Sequence, residues 1–148
     1  MENREIKFRV ICKVGTCFSK GDPAYYEKII TFYYTLDLET PFTIYDYLKD
    51  DGYYLLKIIS VDMFTGVEDN HGKEVYGGDI IQTYGLLDDI KGTVMWDAAI
   101  LTWYVHPPEW RENSGYSLYN CRMNMKKIGN IYENPELIQD KQIEDGKT

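Results

Sequence analysis

A chain of 148 residues with 24 acidic and 16 basic side chains carries a formal net charge of −8. That balance argues against sequence-independent binding to nucleic acid, which works by neutralising phosphates, and against an anionic membrane surface. No apolar run reaches the length that crosses a bilayer, and the alternating, charged start "MENREIKFRV" lacks the apolar centre of a signal peptide, so a cytoplasmic protein without membrane contact is expected.

In chain order, "REIKFRVIC" alternates, with Ile6, Phe8 and Val10 on one face and Glu5, Lys7 and Arg9 on the other, as in a half-buried strand. Gly15, Gly21, Asp22 and Pro23 supply turn residues, and "EKIITFYYTL" is a β-branched and aromatic second strand. "ETPFTIYDYLKDDG" reads as a helix over 43–51. Thr43 is its N-cap, Asp46 holds the capping-box position, and Gly52 follows the end. A hairpin turning at Asp51-Gly52 is the rival reading. "YYLLKIISVDMF" is a strand running into a glycine-rich loop, and "DIIQTY" leaves that loop as another. "LLDDIKG" is a turn, "TVMWDAAILTWYV" is one long strand or two with a bend, and "YSLYNCRM" is a further strand. "KKIGNIY" ends the ordered core and "ENPELI" is a short capping turn.

About seven short strands with glycine turns and one short helix predict a mainly β chain. The spacing suggests a small antiparallel barrel or sandwich, and a barrel with additional strands is the expected architecture. A single domain is expected over 1–138, followed by a polar, acidic, frayed tail over 139–148.

Cys12, Cys17 and Cys121 are an odd set that suits reduced thiols. Cys12 and Cys17 with His71 and His106 make four metal ligands only on paper, because the cysteines fall within or beside a strand pattern. No metal site, cofactor or catalytic residue is expected. Neither histidine belongs to a recognisable nucleophile–base pattern.

The loop "TGVEDNHGKEVYGGDI" holds the most structured local pattern. Asn70-His71-Gly72 suits a tight turn, and Lys73 to Tyr76 a short strand. Gly77, Gly78 and Asp79 re-aim the chain into Ile80, with the Asp79 carboxylate accepting from turn amides. The pattern is not a phosphate-binding loop, since the Gly-x-x-x-x-Gly-Lys-Ser/Thr order and the following helix are both lacking. Gly72, Gly77, Gly78 and Asp79 are therefore structural.

The same loop resembles the signature of the YopX family, small proteins encoded by phages and prophages. "REIKFRV" resembles that family's first strand and "IGNIYENPEL" its C-terminal signature, and the three segments come in the family's order. The resemblance implies a mostly β fold with an SH3-like barrel. It implies no activity, so the signature residues carry over as markers of fold. Residues 13–60 match no family motif, and "HPPEWRENSG" reads as an insertion.

Binding is expected where the aromatics lie. The chain has 14 tyrosines and 3 tryptophans, residue types enriched at interfaces. Strict alternation puts Trp96 and Trp103 on opposite faces unless a bulge intervenes. Trp110 and Arg111, in a loop behind Pro107 and Pro108, form a common contact pair, although Trp110 also reads as a lid on the barrel end. Trp110, Arg111, His106, Tyr76 and Trp103 are the candidate contact residues. The expected function is that of a non-enzymatic phage or prophage accessory protein that binds a host or phage protein and self-associates as a homo-oligomer. The alternatives are a counter-defence protein sequestering a small nucleotide-like signal, and an acidic nucleic-acid mimic.

Overall fold

The structure, a computed structural model, describes residues 6–16, 21–36, 48, 51–84, 89–111 and 114–139. It has the expected class: mostly antiparallel β with little helix among the described residues, in curled sheets that fit a small β-barrel fold. Nine strands are described where about seven were expected. The chain divides into two compact units, Met1–Met63 and Phe64–Thr148.

The first unit is built on β1 (Lys7–Gly15), which lies between β2 (Glu27–Thr35) and β3 (Tyr54–Glu68). β1 and β2 pair from Lys7↔Thr35 to Gly15↔Glu27 without a break. The connection turns where Asp22 was expected to turn it. The Asp22 carboxylate accepts the Ala24 N–H at 2.8 Å, and the Asp22 carbonyl accepts the Tyr25 N–H at 2.9 Å. Val10, Cys12 and Val14 alternate onto a core shared with Phe32 and Leu48. A core phenylalanine such as Phe32 contributes about 3–5 kcal/mol when judged by truncation to alanine.

The outer face of β1 departs from expectation. Arg9, read as a solvent-facing residue, is buried. Its Nη2 and Nε lie 3.0 and 3.3 Å from Asp62 Oδ2, and Ser60 Oγ–H donates to Asp62 Oδ1 at 2.7 Å. Alternation separates the two faces of a strand without saying which is wet, and both faces of β1 are buried, Arg9 and Ile11 on one and Val10, Cys12 and Val14 on the other. A buried guanidinium then needs a bonded carboxylate.

The expected helix at 43–51 lies mostly outside the described residues. Leu48 is helical and buried. Its carbonyl accepts the Tyr53 N–H at 3.1 Å, and Gly52 has φ +74°. A six-residue closure over a left-handed glycine is how helices end.

The second unit takes the last part of β3, paired with β4 (Glu74–Tyr76) at Phe64↔Tyr76 and Glu68↔Glu74. It also holds a five-stranded antiparallel sheet of β5 (Asp79–Thr83), β6 (Lys91–Asp97), β7 (Thr102–His106), β8 (Tyr116–Ser117) and β9 (Met125–Asn130), in the order β8-β7-β6-β5-β9. Val75, Ile81, Val94, Val105, Leu118, Cys121 and Met125 form its core.

"YSLYNCRM" is not one strand. After two residues of β8 the chain forms α1 (Leu118–Cys121) and a 3-10 turn (Arg122–Asn124). Leu118 and Cys121, the buried residues here, are spaced by three, which is helical spacing. The β-forming tyrosines had masked that period. "ENPELI" behaves as expected, with a 3-10 turn over Pro135–Ile138. Among the described residues no helix is long and apolar enough to cross a membrane.

Candidate functional site

The glycine-rich loop of the second unit works as a cap on a sheet edge. Gly72, at φ +79°, closes a turn in which its N–H donates to the Asp69 carbonyl at 3.0 Å. Asp69 Oδ1 accepts the N–H groups of His71 and Lys73 at 2.8 and 2.9 Å. Its other oxygen, Oδ2, accepts the Lys127 N–H of β9 at 3.0 Å, and the Asn70 N–H donates to the Met125 carbonyl at 3.1 Å. Asp69 and Asn70 thus occupy backbone positions on β9 that a further strand would use. Burial pushes the Asp69 carboxyl up, but the N–H donors of Lys127, Lys73 and His71 outweigh it and hold the group below the usual carboxylate range.

The second half of the loop is tied to the same strand. Gly78 has φ +85°, and its N–H donates to the Val94 carbonyl at 2.9 Å. The buried Asp79 carboxylate accepts the Tyr76 N–H at 2.8 Å and lies 3.2 Å from Lys127 Nζ. Lys127 Nζ also donates to the Glu74 carbonyl at 3.2 Å. At the far end of β9, Asn130 Oδ1 accepts from the N–H groups of Tyr132 and Glu133 at 3.0 and 2.8 Å. A side chain at Gly129 would sit 2.5 Å from Asn134 Oδ1. Asp69, Asp79 and Asn130 of the two signature segments are thus engaged in folding the chain.

The exposed chemistry lies on the β6–β7 hairpin. Trp96 pairs directly with Trp103, their rings edge to face with centroids 5.2 Å apart. They share a face, against the expectation of opposite faces, because the chain reverses between them and cross-strand partners point the same way. Trp103 packs on the core and against Gly77, where a Cβ would lie 3.0 Å from the ring. Trp96 is 47% exposed. The hairpin tip carries Ile100 at 69% and Leu101 at 73% exposure. Asp97 Oδ1 accepts the Ala99 N–H at 2.9 Å, and Leu101 has φ +52°. A leucine in the left-handed region costs about 1–2 kcal/mol, which marks the tip as a place where this side chain is held at a cost to stability.

Of the residues singled out from sequence, Trp103 stands at this surface. Trp110 is half exposed, with its ring 4.8 Å from that of Tyr116, and Arg111 is exposed beside it. His106 closes the base of their loop. Its Nδ1–H donates to the Ser114 carbonyl at 2.6 Å, since a carbonyl can only accept. Tyr76 is no surface contact: it is 1% exposed and packs on Phe64 with ring centroids 5.5 Å apart. It falls on the inward side of β4, next to the Asp79 corner. Gly72 and Gly78 have positive φ, Gly77 lies against the Trp103 ring and Asp79 accepts the Tyr76 N–H. Trp96 as Trp103's partner, Ile100, Leu101 and Lys127 were not anticipated. An Asp before "AAILT" between two tryptophans signals a hairpin turn, but Lys127 in "KKIGNIY" carries no local mark.

A family model described as YopX protein matches residues 25–139. Among solved structures, the crystal structure of protein EF1440 from Enterococcus faecalis is similar at 20% identity and a TM-score of 0.41. That match covers 90% of this chain and 98% of that one. No curated protein matches.

Proposed function

The chain belongs to the YopX family, and on that footing we propose that it is a non-enzymatic, phage-type accessory protein that grips a protein partner with the β6–β7 hairpin. One observation carries this reading. The hairpin tip presents Ile100 and Leu101 to solvent beside Trp96, and Leu101 is held in a backbone conformation that leucine avoids. Exposed apolar side chains clustered with an aromatic anchor are what interface centres are made of. A tip built on a hydrogen-bonded hairpin also brings little ordering cost to an encounter. Trp110 and Arg111 are exposed in a second loop of the same unit, at the other end of β7 from the tip.

The test is native mass spectrometry of the protein purified from phage-infected host cells, for the natural sequence and for Trp96→Ser with Ile100→Ser. A bound protein that the double variant loses, while circular dichroism shows the fold unchanged, is the expected result. A bound small molecule instead of a protein would transfer the reading to sequestration. A protein retained by the variant would move the contact to another surface.

A further inference from the structure

The two units treat their sheet edges differently. In the five-stranded sheet, β9 is capped by Asp69 and Asn70, and the opposite edge strand β8 is two residues long. In the first unit, β3 pairs with β1 along one side, and from Leu55 to Val61 no described strand pairs with its other side. β4 joins β3 only from Phe64. The segment reads Leu-Leu-Lys-Ile-Ile-Ser-Val, with one charge, no glycine and no proline. Natural sheets blunt such an edge unless something pairs with it.

The face that carries the first unit's core is also incomplete on this side. Val10 and Cys12 of β1 are fully buried, while their β3 partners Val61 and Ile58 remain 50% and 44% exposed, and Met63 beyond them 47%. The core is closed over β1 and, beyond Leu55, open over β3.

We propose that a second copy of this chain pairs with that edge, β3 against β3 and antiparallel, about a two-fold axis passing between Ile59 and Ser60. The strand's own irregularity selects this register. Ile11 pairs with Ser60 and Cys12 with Ile58, so Ile59 is the extra residue of a bulge. The alternation of faces resets there. Cross-strand partners must share a face, and they do so on both sides of the reset when the axis lies at it. Ile58 then lies opposite Val61 of the second copy, on the core side, within the stretch between this bulge and a second one at Leu56. Lys57 lies opposite Asp62 of the second copy on the other side, so the lysines never face each other. A shift of one residue either way sets Ile58 against Ser60 or Asp62. A foreign strand would need apolar residues at two matched positions and an acid at a third. The chain's own β3 already has them, and an isologous contact closes as a dimer.

Sedimentation equilibrium from low micromolar to several hundred micromolar tests this. The natural protein is expected to pass from monomer to dimer. Val61→Lys and Lys57→Asp, which place a charge in the apolar seam and an acid opposite Asp62, are each expected to weaken the dimer about tenfold or more. Should Val61→Lys fail to fold, hydrogen exchange of the natural protein decides: the amides of Leu56 to Val61 are expected to exchange more slowly as concentration rises. A monomer throughout overturns the proposal. So does a dimer that forms without added protection of these amides, or one that the folded variants leave unchanged.

Discussion

At the scale of single residues, the second unit is held by a few side chains that replace backbone partners. Asp69 is the clearest, since one carboxylate satisfies three N–H groups from two segments. Asp69→Asn keeps one acceptor oxygen for His71 and Lys73 but turns an amide N–H₂ toward the Lys127 N–H, donor against donor. A cost of about 1–3 kcal/mol is expected. The pH dependence has a definite sign. A carboxyl held below its unfolded value, near 4, stabilises the fold above that value, and the stabilisation disappears as pH falls through the folded one. The denaturation midpoints of the natural protein and the Asp69→Asn variant should therefore lie well apart at pH 7 and converge in acid below about pH 4. A gap that stays constant would assign the loss to packing instead. Gly78 is the second such residue. At φ +85°, Gly78→Val forces a β-branched side chain into the left-handed region and should cost on the order of 1–3 kcal/mol. An unchanged urea midpoint would contradict this.

At the scale of elements, the β6–β7 hairpin separates stability from binding. Leu101 contributes little to the core, being the most exposed large apolar residue described, and its φ of +52° is unfavourable for any residue but glycine, asparagine or aspartate. Leu101→Gly relieves that strain while adding backbone freedom to the unfolded chain, so the thermal midpoint should stay level or rise slightly. Partner capture in the purification from infected cells should fall about tenfold or more if the tip is a hot spot. A variant that melts early and still captures its partner would reverse the assignment. The short helix α1 shows a related principle. Its side chains at 118 and 121 face one core although tyrosines on either side favour strands, because burial of these two residues outweighs local propensity.

At the scale of the molecule, each unit has its own core with a buried thiol in it: Cys12 in the first, Cys121 in the second. Burial pushes both thiols up from their ordinary value. Both lie in closed apolar surroundings, so neither should react with a thiol reagent at neutral pH in the folded protein. In a Cys17→Ser background, mass spectrometry of labelling against time in mild urea reads the opening of each unit separately. Native-state labelling at the rate of the unfolded chain would show that the corresponding core is not closed. The formal charge of −8 is carried by both units.

Local chemistry in the sequence was enough to determine the β class, the turns at Asp22, Gly72 and Gly78, the role of Asp79 and the family. Each of these depends on periodicity or on a residue whose backbone preference acts within a few positions. Tertiary structure alone decided what depends on pairing between distant segments. Arg9 alternates like a surface residue until Asp62, 53 positions away, meets it inside. Trp96 and Trp103 read as opposed until a hairpin sets them side by side. Tyr76 reads as an interface residue until Phe64 covers it, and Lys127 has no meaning until Asp79 and the Glu74 carbonyl surround its ammonium group. In every case the deciding quantity is which strand lies beside which, and long-range pairing carries no mark in the local pattern of either partner.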